Sequence, residues 1–115
     1  MDPLLEGGIA LFNGGEYFAC HEVLEEAWTP ERGPRRLFLQ SLIHMAVGLY
    51  HHQRGNSTGA MRQVRKGLRK LDAYTPWCES VDTARLQREM LLVLGSIEAG
   101  EPLGDYPRIH VRLVA

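Results

Sequence analysis

Between Pro34 and Arg54 the chain carries Phe38, Leu39, Leu42, Ile43, Met45, Ala46, Leu49 and Tyr50. Placed at helical intervals, these side chains fill an apolar arc about 160° wide. An arc this broad needs partners on two sides, and only a helix central to a bundle has them. The segment therefore predicts an all-α fold with this helix in the middle. Nothing elsewhere alternates at period two for long enough to build a sheet. A chain of 115 residues, 44% hydrophobic, suits one helical domain, 1–115, around one core.

Start and stop signals divide the chain into about five helices. Asp2 and Pro3 read as N-cap and first helical position of a helix ending near Asn13, where Asn-Gly-Gly breaks it. The second helix spans Glu16 to Trp28, and the third Pro34 to Arg54. Gly55-Asn56 ends the third, and Ser57 or Thr58 caps a fourth that runs to Tyr74 and is closed by Thr75-Pro76. After a loop over Trp77–Val81, Asp82 caps a fifth from Thr83 to Ala99, with Gly100 in the C-terminal stop position. The tail, Glu101 to Ala115, is expected to be extended and laid over the bundle.

An internal repeat supports this division. Gly15-Glu16-Tyr17, then Leu24, Ala27 and Trp28, recurs forty residues later as Gly55-Asn56-Ser57, then Val64, Gly67 and Leu68. Each copy is a helix, a tight glycine turn and a second helix, the logic of tetratricopeptide-like hairpins. The expected architecture is two stacked antiparallel hairpins plus a closing helix, with the third helix flanked by the second and fourth.

Charge is segregated. Residues 1–31 hold seven acids and no Lys or Arg, residues 32–70 nine cations and no acid, and residues 71–115 seven acids against four arginines. Opposite blocks in one small fold attract across helix faces. Exposed pairs each contribute only about 0–1 kcal/mol, so the pattern sets register more than stability. The fourth helix has Arg62, Arg65, Lys66, Arg69 and Lys70 on its outer face, a footprint that could meet nucleic acid or an acidic partner. The near-neutral total and the lack of interleaved aromatics argue against nucleic acid. No basic n-region with an apolar run opens the chain, and no apolar stretch approaches the roughly 20 residues of a membrane span. Cys20 and Cys78 make no metal-binding or CxxC spacing. They read as free thiols in a reducing cytoplasm.

The chemistry concentrates on two stripes. His21 lies within the core arc of the second helix, with Glu25 one turn on and Glu22 and Glu26 further toward water. The third helix leaves a narrow strip holding Gln40, His44 and His51, with the small residues Ser41 and Gly48 beside it, where another helix can approach closely. If the stripes face each other they form a His/Glu-lined cleft of His21, Glu22, Glu25, Gln40, His44 and His51. Such a cleft can be a set of satisfied core hydrogen bonds, a metal site, a metal-free acid–base pocket, or a pocket that binds without reacting. In the metal reading His21, Glu25, His44 and His51 are ligands for zinc, iron or manganese and Glu22 is a candidate base, giving a metal-dependent hydrolase. The favoured expectation is a binding or scaffolding module whose partner is a protein or a small ligand. Trp28 and Trp77, near loop edges, also leave room for a homo-oligomer contact.

Two ordered blocks carry a family resemblance. They are Phe12-Asn13-x-Gly15-x-Tyr17-Phe18-x-x-His21-Glu22-x-Leu24-Glu25-x-x-Trp28, and Phe38-x-Gln40-x-Leu42-Ile43 continuing through Ala46-x-x-x-Tyr50-His51-x-x-Arg54-Gly55-Asn56-x-x-Gly59-Ala60. In these the chain resembles the bacterial and archaeal family called domain of unknown function 309. The resemblance implies an all-helical fold and a small cytoplasmic protein, and no established activity. It draws attention to His21, Glu22, Glu25, Trp28, Gln40 and Asn56. Ser41 and His44 depart from the glycine and glutamine usual in the family, so His44 need not be a family-wide ligand. Asn56 is expected to adopt left-handed geometry and tie off the third helix through its side chain.

Overall fold

The computed structural model of the protein describes residues 1–112; the end of the expected tail, residues 113–115, lies outside the described residues. It contains five α-helices there: α1 (Pro3–Asn13), α2 (Tyr17–Trp28), α3 (Arg36–Gln53), α4 (Ser57–Leu71) and α5 (Thr83–Glu98). A 3-10 turn (Asp72–Tyr74) and a small hairpin, β1 (Trp77–Cys78) with β2 (Val81–Asp82), link α4 to α5. The protein is all-α, and among the described residues no helix is long and apolar enough to cross a membrane.

Capping explains most boundaries. The Asp2 carboxylate accepts from the Leu4 amide at 2.8 Å and Pro3 opens α1. Asp82 caps α5, accepting from the Arg85 amide at 3.0 Å. Two expectations change at the α3–α4 junction. The left-handed residue there is Gly55 (φ +75°), while Asn56 has φ −95°. The Asn56 side chain opens α4, accepting from the Gly59 amide at 2.9 Å, in place of Ser57 or Thr58. At its start α3 begins two residues after Pro34, because the Arg36 amide bonds the Gly33 carbonyl at 3.1 Å and closes a turn first. The expected loop at Trp77–Val81 is a hairpin turning through Glu79 (φ +48°) and Ser80 (φ +68°). Neither is the glycine or asparagine that advertises such a turn.

The forty-residue repeat is present in the backbone. At the end of α1 the amides of Gly14, Gly15 and Glu16 bond the carbonyls of Ala10, Phe12 and Leu11. At the end of α3 those of Arg54, Gly55 and Asn56 bond Tyr50, His52 and His51, the same pattern forty positions on. Both are helix stops with a left-handed glycine, Gly15 at φ +76° and Gly55 at φ +75°. The helix contacts repeat as well. A β-carbon on Gly8 would strike Leu24, and one on Gly48 would stand 2.8 Å from Val64.

Each helix packs chiefly on its neighbours in sequence, so α3 lies between α2 and α4. The α3–α4 seam is the tightest: a β-carbon on Gly67 would come within 3.0 Å of the Ser41 carbonyl oxygen. The core consists of the apolar faces read from sequence, including Tyr17, Cys20, Leu24 and Ala27 on α2 and Phe38, Leu39, Leu42, Met45 and Leu49 on α3. The described part of the tail lies over it. Ile109 is buried and exchanges two hydrogen bonds with the Asn13 side chain, at 2.7 and 2.9 Å. The Asp82 amide then bonds the His110 carbonyl at 2.8 Å.

A cleft between α2, α3 and α4

Because α2 and α3 run side by side, the last turns of α2 face the first half of α3. There Glu25 and Trp28 from α2, Gln40, Ile43, His44 and Val47 from α3, and Gln63 from α4 line a cleft of about 240 Å³. Three of the expected residues, Glu25, Gln40 and His44, therefore share one cavity. Trp28 and Gln63 complete it.

Trp28 is fixed from one side. The Arg36 guanidinium lies 4.0 Å over its ring and bonds the Trp28 carbonyl at 2.8 Å. The indole N–H is buried and has no hydrogen-bond partner among the described residues. An unsatisfied buried donor costs about 1–3 kcal/mol, so the Trp28 side chain carries an unmet demand for an acceptor.

His44 has both ring nitrogens engaged. Nδ1 lies 2.8 Å from Gln63 Oε1 and Nε2 lies 2.8 Å from Lys70 Nζ. An amide oxygen only accepts and an ammonium only donates, so the ring is neutral with its proton on Nδ1. Burial pushes its pKa below the usual histidine value, and the cations Lys70, Lys66 and Arg69 push the same way, against the Gln63 hydrogen bond. Burial and the neighbouring Lys66 and Arg69 likewise lower the pKa of Lys70.

The other candidates lie elsewhere. His21 donates from Nδ1 to the Phe18 carbonyl, packs edge-on against Phe18, and holds Nε2 3.9 Å from Glu25. Glu22 lines a separate acidic depression with Glu25, Glu26, Thr29 and Pro30. His51 stands seven residues, about 10 Å of helix rise, beyond His44, with Nδ1 3.5 Å from the Asn56 amide nitrogen. A shared angular stripe does not bring side chains two turns apart together. Among the described residues no three His, Cys, Asp or Glu side chains are grouped so as to hold a metal ion. With Lys70 on His44 Nε2, His21, Glu25, His44 and His51 do not assemble as a ligand set in this arrangement.

Gln63 and Lys70 were not readable as site residues. The sequence puts Lys70 among the outward cations of α4. The close α3–α4 seam at Gly48 and Gly67 instead draws the stripe Gln63, Lys70 against His44. The available signal was the pair of small residues, which brings whatever flanks them onto the neighbouring helix. Of the remaining α4 cations, Arg65 pairs with Glu98 on α5 at 3.0 Å.

A larger groove of about 650 Å³ runs between α5 and the tail. Its central carboxylate, Glu89, is already engaged by Arg85 at 3.0 Å and by the Arg108 amide at 3.1 Å.

An uncharacterized protein of Aquifex aeolicus is 24% identical over 100 residues, which cover 86% of this chain and 30% of that protein. The uncharacterized protein YpuF of Bacillus subtilis is 38% identical over 86 residues, 72% of this chain and 49% of YpuF. This chain thus spans about half the length of one relative and under a third of the other. Residues 5–63, from α1 into α4, match the family described as Domain of unknown function (DUF309). On this match and on the likeness to YpuF, the chain belongs to the DUF309 family.

Proposed function

We propose that this protein is a helical binding module that takes a compact polar ligand in the cleft between α2 and α3, with α4 as the third wall. The observation that carries this reading is the convergence of Glu25, Gln40, His44 and Gln63 from three helices on one cavity walled by Trp28, Ile43 and Val47. Binding pockets combine apolar walls with a few polar groups that fix orientation. Ile43, Val47 and the Trp28 ring supply the former, the carboxylate and two amides the latter. At about 240 Å³ the cleft falls below the roughly 300–1,000 Å³ of drug-sized pockets, so its ligand is small. A donor or cation would answer Glu25, and the amide of Gln40 can meet either a donor or an acceptor.

Protein-observed NMR with a collection of small amides, carboxylates and heteroaromatics tests the assignment. Binders are expected to move the Trp28 indole and the Gln40 and Gln63 side-chain amide signals together. Gln40→Leu removes a polar group from the cleft lining, and is expected to weaken them about tenfold, the effect of roughly 1.4 kcal/mol. Binders that shift only signals outside the cleft, or a collection with no binder, would refute the reading.

A further inference from the structure

The chain contains eleven arginines and two lysines, Lys66 and Lys70, one turn apart on α4. Arginine stays protonated in proteins, whereas a lysine can lose its proton and become a nucleophile. Where these two lysines stand therefore decides what amine chemistry the molecule has. Lys70 lies outside the residues that line the cleft but reaches one of them, its Nζ 2.8 Å from Nε2 of the cleft-lining His44. The imidazole presents a lone pair there because its own proton is spent on Gln63.

The surroundings make the ammonium easier to deprotonate. From α4 itself Lys66 and Arg69 face the ammonium, and from α3 the neutral His44. Glu25 lies on the α2 wall of the cleft, and Asp72 in the 3-10 turn is occupied by the Gln87 amide at 3.0 Å. Among the described residues no carboxylate lies within ion-pair distance of Lys70. Nearby cations and partial burial both disfavour the charged form, the arrangement that activates lysine nucleophiles.

We propose that Lys70 is a carbonyl-reactive amine which, with His44 as its proton acceptor, forms an imine with a small aldehyde or ketone at the His44 edge of the cleft. Lys70 passes one proton to His44 Nε2, and its lone pair then attacks the carbonyl carbon as the C=O π pair moves to oxygen. A second nitrogen proton passes to that oxygen, giving the neutral carbinolamine. The imidazolium returns its proton to the hydroxyl, water leaves, and the nitrogen keeps one hydrogen as a protonated imine. Ammonium and carbonyl compound thus become iminium and water with charge unchanged, and no oxidant or reductant is needed.

This inference rests on the cleft reading only for where the carbonyl compound sits, and the amine can be read without any natural ligand. The full-length protein is treated with limiting butyraldehyde and cyanoborohydride at pH 7, and alkylation of Lys66 and Lys70 is compared by peptide mass spectrometry. Lys70 is expected to react at least about threefold faster, because nearby cations and partial burial disfavour its charged form. His44→Gln should cut the Lys70 rate at least about threefold with Lys66 in the same molecule unchanged, circular dichroism confirming the fold. Equal labelling of the two lysines in the wild-type protein overturns the proposal, and a Lys70 rate indifferent to His44→Gln overturns the role of the histidine. Should the NMR collection find no cleft binder while Lys70 keeps its advantage, the binding reading alone fails.

Discussion

His44 is neutral because four influences outweigh one: burial and the cations Lys70, Lys66 and Arg69 oppose protonation, and only Gln63 favours it. A histidine with a lowered folded pKa binds fewer protons than the unfolded chain. The stability this represents is complete above the unfolded value near 6.5 and is lost as pH falls through that value toward the folded one. Thermal melts between pH 8 and about 5 should therefore show a fall in melting temperature. His44→Gln should flatten that fall. A profile identical in the two proteins would mean that His44 titrates freely.

At the scale of the element, helix contacts made through glycine decide the packing. A β-carbon at Gly48 would meet Val64 at 2.8 Å and the Ala60 carbonyl oxygen at 3.2 Å. The backbone atom cannot rotate away. Overpacking of this kind costs about 1–3 kcal/mol, so Gly48→Ala should lower the denaturation midpoint. Gly95 is the counter-case, since a β-carbon there meets nothing within 4 Å. Gly95→Ala in the interior of α5 should stabilise by about 0.5–1 kcal/mol. Urea denaturation of the two variants separates a steric seam from a helix-propensity effect. The same change to alanine should carry opposite signs.

Across the whole molecule, Arg35 joins parts of the chain that are far apart in sequence. Its guanidinium bonds Asp2 at 3.1 Å, lies 3.6 Å from Glu31 and makes a two-pronged contact with Glu79 at 2.8 and 2.9 Å. These groups are half-buried, and a forked arginine–carboxylate pair is worth more than an exposed one. Asp2 shows the consequence. The Leu4 amide first, and Arg35 with it, hold its carboxyl below the usual 3.8. That stabilisation is present above the unfolded value and is lost as pH falls through the folded one. Arg35→Met should cost about 1–2 kcal/mol and loosen both the start of α1 and the hairpin. Hydrogen exchange at Leu4, Val81 and Asp82 would report it; a loss confined to one of the two would mean the bridge is not shared.

Much of this was legible in the residues. The broad arc from Phe38 to Tyr50 requires partners on two sides, which made α3 central, and hydrophobic burial leaves no cheaper arrangement. The glycine turns forty residues apart announced two hairpins, because left-handed backbone is least costly for glycine. The charge blocks anticipated Arg35 with Asp2 and Glu31, and Arg65 with Glu98. Angular position, however, says nothing about axial distance, so Gln40 and His44 entered one cavity while His51 did not. Nor does local sequence say how closely two helices approach. That distance, set at Gly48 and Gly67 against Val64 and Ser41, turned Lys70 from a surface cation into the partner of His44. Periodicity specifies which face of a helix is buried; only packing determines which polar side chains at the edge of that face end up touching.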